Sequence, residues 1–122
     1  MRTEARAGDG SITVPVALLV SGGTSHAAEL FAQALAGNKR ATIVGEPTIG
    51  LAAEQKLVKL PQGYGLWLTH ERYMTLDGKE PLHGRGLTPD VAVAIPLVGF
   101  DELPPATDAP LDRAIEHLKS KR

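Results

Sequence analysis

The chain has 122 residues, and its 13 basic and 14 acidic side chains give a formal net charge of −1. That length suits one compact domain, while the balanced charge argues against nucleic-acid and membrane-surface binders, which need a basic excess. The absence of cysteine excludes disulfides, thiol catalysis and thiolate zinc sites. No apolar run approaches the roughly 20 residues that span a bilayer, so we expect no membrane insertion.

The chain begins with a polar, glycine-containing stretch. Residues 1–11 lack the apolar segment of a signal peptide and indicate a loop or a frayed end. We therefore predict a flexible N-terminal segment over residues 1–13 and one α/β domain over residues 14–122. On these residues alone, the protein is either cytoplasmic or part of a longer chain whose targeting segment lies elsewhere.

The first predicted elements are a buried strand and an amphipathic helix, joined by two glycines. Ile12–Val20 is β-branched and almost entirely apolar, which favours a strand buried on both faces, with Pro15 near its start. Gly22 and Gly23 follow, and Ser25 is a candidate N-cap for the helix. Apolar residues at helical spacing predict the stripe that faces the core: Ala27, Leu30, Phe31, Ala34 and Leu35.

A second strand and a hairpin are predicted next. Gly37-Asn38 ends the helix in the manner of a left-handed C-cap. Ala41–Val44 has the composition of a short strand, and the breaker-rich Gly45–Gly50 that follows predicts a turn. Two further apolar runs, Lys56–Leu60 and Tyr64–Thr69, flank Pro61-Gln62-Gly63 and predict a hairpin with a three-residue loop.

The last third of the chain is richer in loops. We predict a long ordered loop over Leu76–Pro89, a strand over Val91–Ile95 and a proline-rich spacer over Pro104–Pro110. A final amphipathic helix is predicted over about Leu111–Lys119. Asp108 caps it in this prediction, and its inward-facing residues are Leu111, Ile115 and Leu118.

The strand–glycine–helix pattern over Val14–Leu35 is the most informative local feature. A tight turn of this kind places the first helical residues at a positively polarised helix N-terminus, where backbone N–H groups are free. Enzymes use such turns to hold a nucleophile and to form an oxyanion hole. The plain alternative is an ordinary strand-to-helix connection in an α/β sheet.

Several motifs over residues 14–118 resemble, in order, the catalytic core of the C-terminal processing peptidases (tail-specific proteases), which use a Ser/Lys dyad. The similar stretches are Leu18–Glu29 (LLVSGGTSHAAE), Gly45–Leu51 (GEPTIGL), Leu60–Gly63 (LPQG), Leu68–Tyr73 (LTHERY), Gly84–Val91 (GRGLTPDV) and Pro110–Ala114 (PLDRA). The resemblance implies an α/β fold with the ClpP/crotonase-like layered arrangement of sheet and helices. It also implies that residues 14–122 are the C-terminal half of a peptidase core.

The chain departs from the family pattern at the two residues that carry the chemistry. His26 stands at the position of the serine nucleophile, and Leu51 stands at the position of the lysine base, 25 residues later. Leucine has no lone pair with which to take a proton, and imidazole does not replace the hydroxyl that forms an acyl-enzyme. The resemblance leaves Gln55 as an orienting residue and the backbone at Ala27 and Gly23 as oxyanion or binding elements.

We therefore predict a peptidase-like domain that is catalytically inactive and retains peptide or partner binding. One alternative is an active serine endopeptidase, with a nucleophile relocated to Ser21 or Ser25 or with a site completed by segments outside this chain. Another is a structural assembly domain, and a third is an acyl-thioester enzyme that shares the fold. We expect no cofactor and no metal, although a zinc site assembled from His26, His70 and Glu46 is a further alternative.

The remaining chemistry-bearing residues favour structural roles. His83 lies in the long loop and His117 on an exposed helix face, so both are expected to be surface groups. Asp90 is expected to be a turn residue, and Trp67 and Tyr73 are expected to pack in the hairpin.

The resemblance also bears on partners and location. Full enzymes of this family carry a helical N-terminal part, a PDZ domain and an upstream glycine motif, none of which fits in 122 residues. The sheet is therefore expected to have an open edge that favours homo-oligomerisation or a partner. A peptide or a protein C-terminus is the ligand that the resemblance implies, and a periplasmic or secreted location is implied in the same way.

Overall fold

The computed structural model describes residues 13–121, which contain two α-helices and five strands. The prediction of a flexible segment over residues 1–13 falls almost wholly outside this range. In chain order the elements are β1 (Ala17–Val20), α1 (Ala27–Gly37), β2 (Thr42–Gly45), β3 (Ala53–Lys59), a 3₁₀ turn (Pro61–Gly63), β4 (Gly65–Arg72), β5 (Val91–Ala92) and α2 (Ala109–Ser120).

Strands β1, β2 and β5 form a parallel sheet in the order β1-β2-β5, and β3 and β4 form a separate antiparallel hairpin. Helix α1 connects β1 to β2, as a parallel pair requires, and α2 packs against the same two strands. Buried apolar side chains from β1, α1, β2 and the long loop form the core: Val20, Ala32, Ile43 and Leu87, with Leu18 and Ala36 packed against them. The predicted α/β class is therefore confirmed.

Two of the three parallel strands, β1 and β5, are shorter than predicted. β1 begins at Ala17 rather than Ile12, and Pro15, which lacks an N–H, lies before it. β2 is displaced by one residue and ends at Gly45. β5 stops after Ala92 because its partner strand β2 ends at Gly45, whose carbonyl accepts a hydrogen bond from the Val93 N–H (2.8 Å).

The core-facing side of α1 was predicted wrongly. Phe31 is 58% exposed, whereas Glu29 and Ala32 are fully buried. The small Ala32 allows the helix to approach the sheet closely, and the Glu29 carboxylate finds buried hydrogen-bond donors there. Ser25 is also not the N-cap: His26 occupies that position, and its side chain makes no capping hydrogen bond.

The end of α1 differs from the prediction as well. Asn38 has φ −85°, and the left-handed residue is Lys39, with φ 53°. The Lys39 N–H donates to the Ala36 carbonyl and the Arg40 N–H donates to the Leu35 carbonyl, both at 2.8 Å. This pair of bonds is a Schellman motif, with lysine in the place that glycine usually takes.

The hairpin and the α2 cap were predicted correctly. β3 and β4 pair around Pro61–Gly63, although every residue from Glu54 to Arg72 is exposed, so Trp67 is not packed as expected. The Leu111 N–H donates to Asp108 Oδ1 (3.0 Å) at the start of α2. The inward face of α2 centres on buried Ala114, while Leu111 and Ile115 remain 44% and 40% exposed. Within residues 13–121 no helix is long and apolar enough to cross a membrane.

Candidate functional site

The turn between β1 and α1 is closed by two reciprocal hydrogen bonds. The Thr24 N–H donates to the Ser21 carbonyl (2.9 Å), and the Ser21 N–H donates to Thr24 Oγ1 (3.0 Å). The Gly23 N–H donates to Ser21 Oγ (3.3 Å) and is therefore already engaged. These bonds fix the path of the chain into α1 at the carboxyl end of the sheet.

His26 has a backbone conformation that side chains rarely adopt. Its φ is 52° and its ψ is −124°, a combination that glycine adopts readily and other residues adopt at a cost of about 1–3 kcal/mol. A strained strand-to-helix turn is also the geometry in which α/β enzymes expose a nucleophile. The position predicted for the nucleophile thus has the matching backbone, with an exposed imidazole in place of a hydroxyl.

Because the imidazole of His26 makes no capping bond, the strain has no local compensation. We expect His26→Gly to raise the free energy of unfolding by about 1 kcal/mol, since glycine adopts this conformation without strain. His26→Ala, which keeps a Cβ, is the control and should change stability by a few tenths of a kcal/mol at most. Chemical denaturation measures both variants. A glycine variant no more stable than the alanine variant would show that the turn is unstrained.

A buried carboxylate joins α1 to the turn that follows β2. Glu29 Oε1 accepts hydrogen bonds from Thr48 Oγ1 (2.5 Å) and the Gly50 N–H (2.7 Å). Its other oxygen, Oε2, accepts one from the Leu51 N–H (2.8 Å). Glu29 is 0% exposed. The helix that follows His26 therefore holds the backbone of residue 51 directly.

Thr48 extends this connection to the long loop. Its hydroxyl accepts a hydrogen bond from the Leu87 N–H (2.8 Å), and its own N–H donates to the Leu87 carbonyl (3.1 Å). Gly86, at φ 72°, lies so close that a Cβ there would be 2.2 Å from the Thr48 carbonyl oxygen. Glu29 and Thr48 are residues whose roles the sequence reasoning missed. The signal was a glutamate on a helix whose neighbours are mostly apolar.

Leu51 and Gln55 follow this turn. The Leu51 side chain is 40% exposed and provides no proton acceptor at the position predicted for the base. Gln55 is exposed on β3 and pairs with Thr69. The register shifts between Glu54 and Gln55, which leaves His70 as the extra residue of a bulge.

A hydrogen bond next to this bulge gives a pH-dependent signal. The Tyr73 hydroxyl donates to Glu54 Oε1, and this bond, with the nearby negative charge, raises the pKa of Tyr73 above its usual value of about 10. The bond is present while the phenol is neutral and is lost as pH rises through the elevated pKa. We expect Glu54→Gln to lower that pKa towards the usual value. Tyrosinate absorbance in a Tyr64→Phe background, which leaves one tyrosine, measures the shift, and an unchanged titration would contradict it.

The two predicted oxyanion elements differ in availability. Gly23 uses its N–H within the turn. The Ala27 N–H donates no hydrogen bond to any residue between 13 and 121, and Ala27 itself is exposed at the first position of α1. One backbone donor at a helix N-terminus is therefore free to bind a carbonyl oxygen or an anion.

Within residues 13–121, neither serine proposed as a relocated nucleophile donates a hydrogen bond from its hydroxyl to a basic group. Ser21 Oγ accepts from the Gly23 N–H, and in the described region Ser25 has only a backbone bond, from the Ala28 N–H to its carbonyl (3.1 Å). A hydroxyl nucleophile needs a proton acceptor within hydrogen-bond reach. The geometry gives the relocated-nucleophile alternative no support.

The other candidate residues take structural roles. Asp90 Oδ2 accepts from the Ile43 N–H (2.8 Å), and Glu46 Oε1 accepts from the Ile95 N–H (2.8 Å). His83 is half-buried rather than a surface group, and its Nδ1 atom is buried with no hydrogen-bond partner among the described residues. His117, also half-buried, contacts Thr42. Across the described range the model contains no group of three or more His, Asp or Glu side chains placed to hold a metal ion.

Sequence comparisons show that the chain is similar to carboxyl-terminal-processing proteases. The model of peptidase family S41 matches residues 1–93. The carboxyl-terminal-processing protease of Synechocystis sp. is 36% identical over 111 residues, which cover 91% of this chain and 26% of that protein. The chloroplastic carboxyl-terminal-processing peptidase 2 of Arabidopsis thaliana is 43% identical over 76 residues, which cover 62% of this chain and 15% of that protein.

A solved structure shows the same fold. The photosystem II D1 C-terminal processing protease matches with a TM-score of 0.61 and 38% identity, over 67% of this chain and 21% of that one. The match confirms the predicted protease-like α/β fold. The chain spans about a quarter or less of the length of the relatives it matches. On the family model and on these relatives, the chain belongs to peptidase family S41.

Proposed function

We propose that this peptidase-like domain does not catalyse the Ser/Lys reaction and uses the retained frame to bind a peptide or protein segment. The observation that carries the proposal is which residues stand at the two positions predicted for the nucleophile and the base. His26 sits at a strained turn suited to a nucleophile, and Leu51 sits at the end of the turn that Glu29 holds. The frame is present and the two reacting groups are replaced.

The replacement removes each half of the chemistry. Acyl transfer to an enzyme requires a hydroxyl or thiol that attacks the carbonyl and a group that accepts its proton. Leucine at position 51 accepts no proton, and the amide of Gln55 is not a base. The free Ala27 N–H still supports binding of a peptide carbonyl oxygen, without cleavage.

Binding is supported by the position of β1, which is an edge strand of the sheet that the described residues form. The carbonyls of Val16 and Val20 accept from the N–H groups of Thr42 (2.9 Å) and Glu46 (3.1 Å) and therefore face β2. Because backbone groups alternate in direction along a strand, those of Ala17 and Leu19 face away from β2. An extended segment can add to such an edge as a new strand.

A groove of about 570 Å³ lies at the carboxyl end of β1. It is lined by Leu19, Val20, Ser21 and Thr24, by Ile95 and Pro96, and by residues 104–110, which include the proline-rich spacer. An apolar groove beside an open strand edge suits the side chains of an extended peptide.

The hairpin supplies a second apolar surface. Leu57 and Trp67 are paired across one face and are 43% and 63% exposed, while Val58 and Leu66 are paired across the other and are 37% and 45% exposed. An isolated two-stranded hairpin is marginally stable in water. Contact with a partner would bury both faces, in line with the predicted homo-oligomer or partner.

The test combines cleavage, labelling and retention. A mixed pool of unstructured peptides is incubated with the immobilised chain and analysed by mass spectrometry, alongside an acylating serine probe. We expect intact peptides, no labelled serine and selective retention of some peptides. Cleavage with one labelled serine would establish an active peptidase with a relocated nucleophile. If the peptides are neither cleaved nor retained, the result would favour the structural assembly domain.

The contribution of the hairpin is tested with matched aromatic variants. Trp67→Ala should weaken retention of the bound peptides by at least about tenfold, because exposed aromatic residues dominate binding surfaces. Phe100→Ala removes an aromatic ring outside the hairpin that is even more exposed than Trp67, and it should leave retention unchanged. Equal effects of the two substitutions would exclude the hairpin from the binding surface. The periplasmic or secreted location inferred from the family resemblance remains a prediction.

A further inference from the structure

We propose that a cationic cleft at the amino end of the parallel sheet binds a phosphate group. The cleft has a volume of about 480 Å³. It is lined by the starts of β1, β2 and β5, the end of α1 and the last turn of α2: Pro15, Val16, Ala36, Lys39, Arg40, Ala41, Thr42, Asp90, Val91, His117, Leu118 and Lys121. Since all three strands are parallel, the site at His26 and Leu51 lies at the opposite end.

The charge of the lining favours an anion. Lys39, Arg40 and Lys121 carry positive charge, although Arg40 also donates to the Val14 carbonyl (3.0 Å), and Asp90 is the one acidic residue among the described residues of the lining. The Asp90 carboxylate accepts a hydrogen bond from the Ile43 N–H (2.8 Å), so part of its capacity serves the sheet. Within residues 13–121, Lys39 and Lys121 form no ion pair.

Three polar side chains converge on one point in the cleft. Thr42 Oγ1 lies 3.1 Å from Lys121 Nζ and 3.2 Å from His117 Nε2. Because an ammonium only donates, the threonine oxygen accepts from Lys121 and its hydroxyl hydrogen is available to His117. Among residues 13–121, Lys121 Nζ has no hydrogen-bond partner besides Thr42, so two of its three N–H bonds are available to a ligand.

Lys39 is held in the cleft at a conformational cost. It occupies the left-handed position of the Schellman motif at the end of α1, where glycine is favoured. The bonds from Lys39 and Arg40 already satisfy the last carbonyls of the helix, so the ammonium is not needed to cap them. A strained residue that brings a charge into a cleft is more typical of a binding site than of a helix end.

The ligand class follows from the donors and the volume. Two lysines that line one cleft suit a compact dianion, and the volume of about 480 Å³ also admits a small organic group attached to it. Inorganic phosphate and a phosphate monoester share this chemistry. Titrations with inorganic phosphate and with O-phosphoserine distinguish the two sources, and chloride at matched ionic strength reports simple screening.

The experiment follows the amide and imidazole NMR signals of the full chain during these titrations. We expect saturable shifts at Thr42 and His117 with phosphate and none with chloride. Tighter binding of phosphoserine than of phosphate would identify a monoester as the ligand, and equal binding would identify the free ion. Lys121→Ala should weaken binding about tenfold, whereas Lys119→Ala, which removes a lysine that does not line the cleft, should not.

Lys39→Gly separates this role from a structural one. The glycine variant removes both the backbone strain and the ammonium, so we expect a more stable chain that binds phosphate about tenfold more weakly. A purely structural lysine would change stability without changing the titration. Shifts that do not saturate, that chloride reproduces, or that persist in Lys39→Gly and Lys121→Ala would overturn the proposal.

Discussion

Glu29→Ala is expected to lower the free energy of unfolding by about 3–5 kcal/mol. The carboxylate is fully buried and accepts three hydrogen bonds, from Thr48, Gly50 and Leu51. Truncation leaves these three donors without their acceptor in a region from which water is largely excluded, and it opens a cavity between α1 and the turn. Urea denaturation followed by circular dichroism measures the loss.

Two matched variants make this result interpretable. Glu29→Gln keeps the side-chain volume and one carbonyl oxygen but places an NH₂ group against one of the donors, so it should cost less than Glu29→Ala and still exceed about 1 kcal/mol. Glu116→Gln is the surface control, because Glu116 pairs with Arg113 and its side chain is 67% exposed. We expect its effect to stay within about 0.5 kcal/mol. If Glu29→Ala and Glu116→Gln lower the free energy of unfolding by the same amount, the hydrogen bonds to the buried Glu29 carboxylate do not stabilise the fold.

Glu29 also shows where prediction from the sequence reached its limit. Helical periodicity selected the apolar side chains of α1, yet Phe31 lies 58% exposed and the glutamate lies in the core. Its partners are 19 to 22 residues further along the chain. A pattern confined to one helix contains no information on donors that a distant turn will supply. The family motif included this glutamate without showing what it binds.

The left-handed residues were missed for a related reason. Glycine and asparagine were expected to end α1, but Lys39 has the positive φ, and His26 has one at the start of the same helix. Residue propensities predict glycine at positive φ, because glycine has no Cβ and adopts that conformation without strain. At both positions the surrounding hydrogen bonds determine the backbone, and the side chain is tolerated at a cost.

Local signals succeeded where the partners are close in sequence. Asp108 caps α2 through an N–H three residues away, and the 3₁₀ turn at Pro61–Gly63 joins two strands that pair directly. The turn after β1 was also located correctly from Gly22 and Gly23. These features depend on short contacts that a few neighbouring residues specify.

The largest change in reactivity is expected from restoring the dyad. His26→Ser with Leu51→Lys places a hydroxyl at the strained turn and an amine at the residue whose N–H Glu29 holds. To supply the remainder of a peptidase core, the variant is fused to the part of the Synechocystis protease that precedes the matched region. We expect this fusion to react with an acylating serine probe at residue 26 at least about 10³-fold faster than the unsubstituted fusion.

The single variants test whether the two positions act together. Nucleophile and base are strongly non-additive in serine peptidases, so His26→Ser alone and Leu51→Lys alone should each remain close to the unsubstituted fusion. Cooperative thermal unfolding of every fusion verifies that a silent variant is folded. A folded double variant that is not labelled would contradict the assignment of positions 26 and 51. Labelling by the double variant alone would show that this chain retains the frame that positions a nucleophile at residue 26 and a base at residue 51.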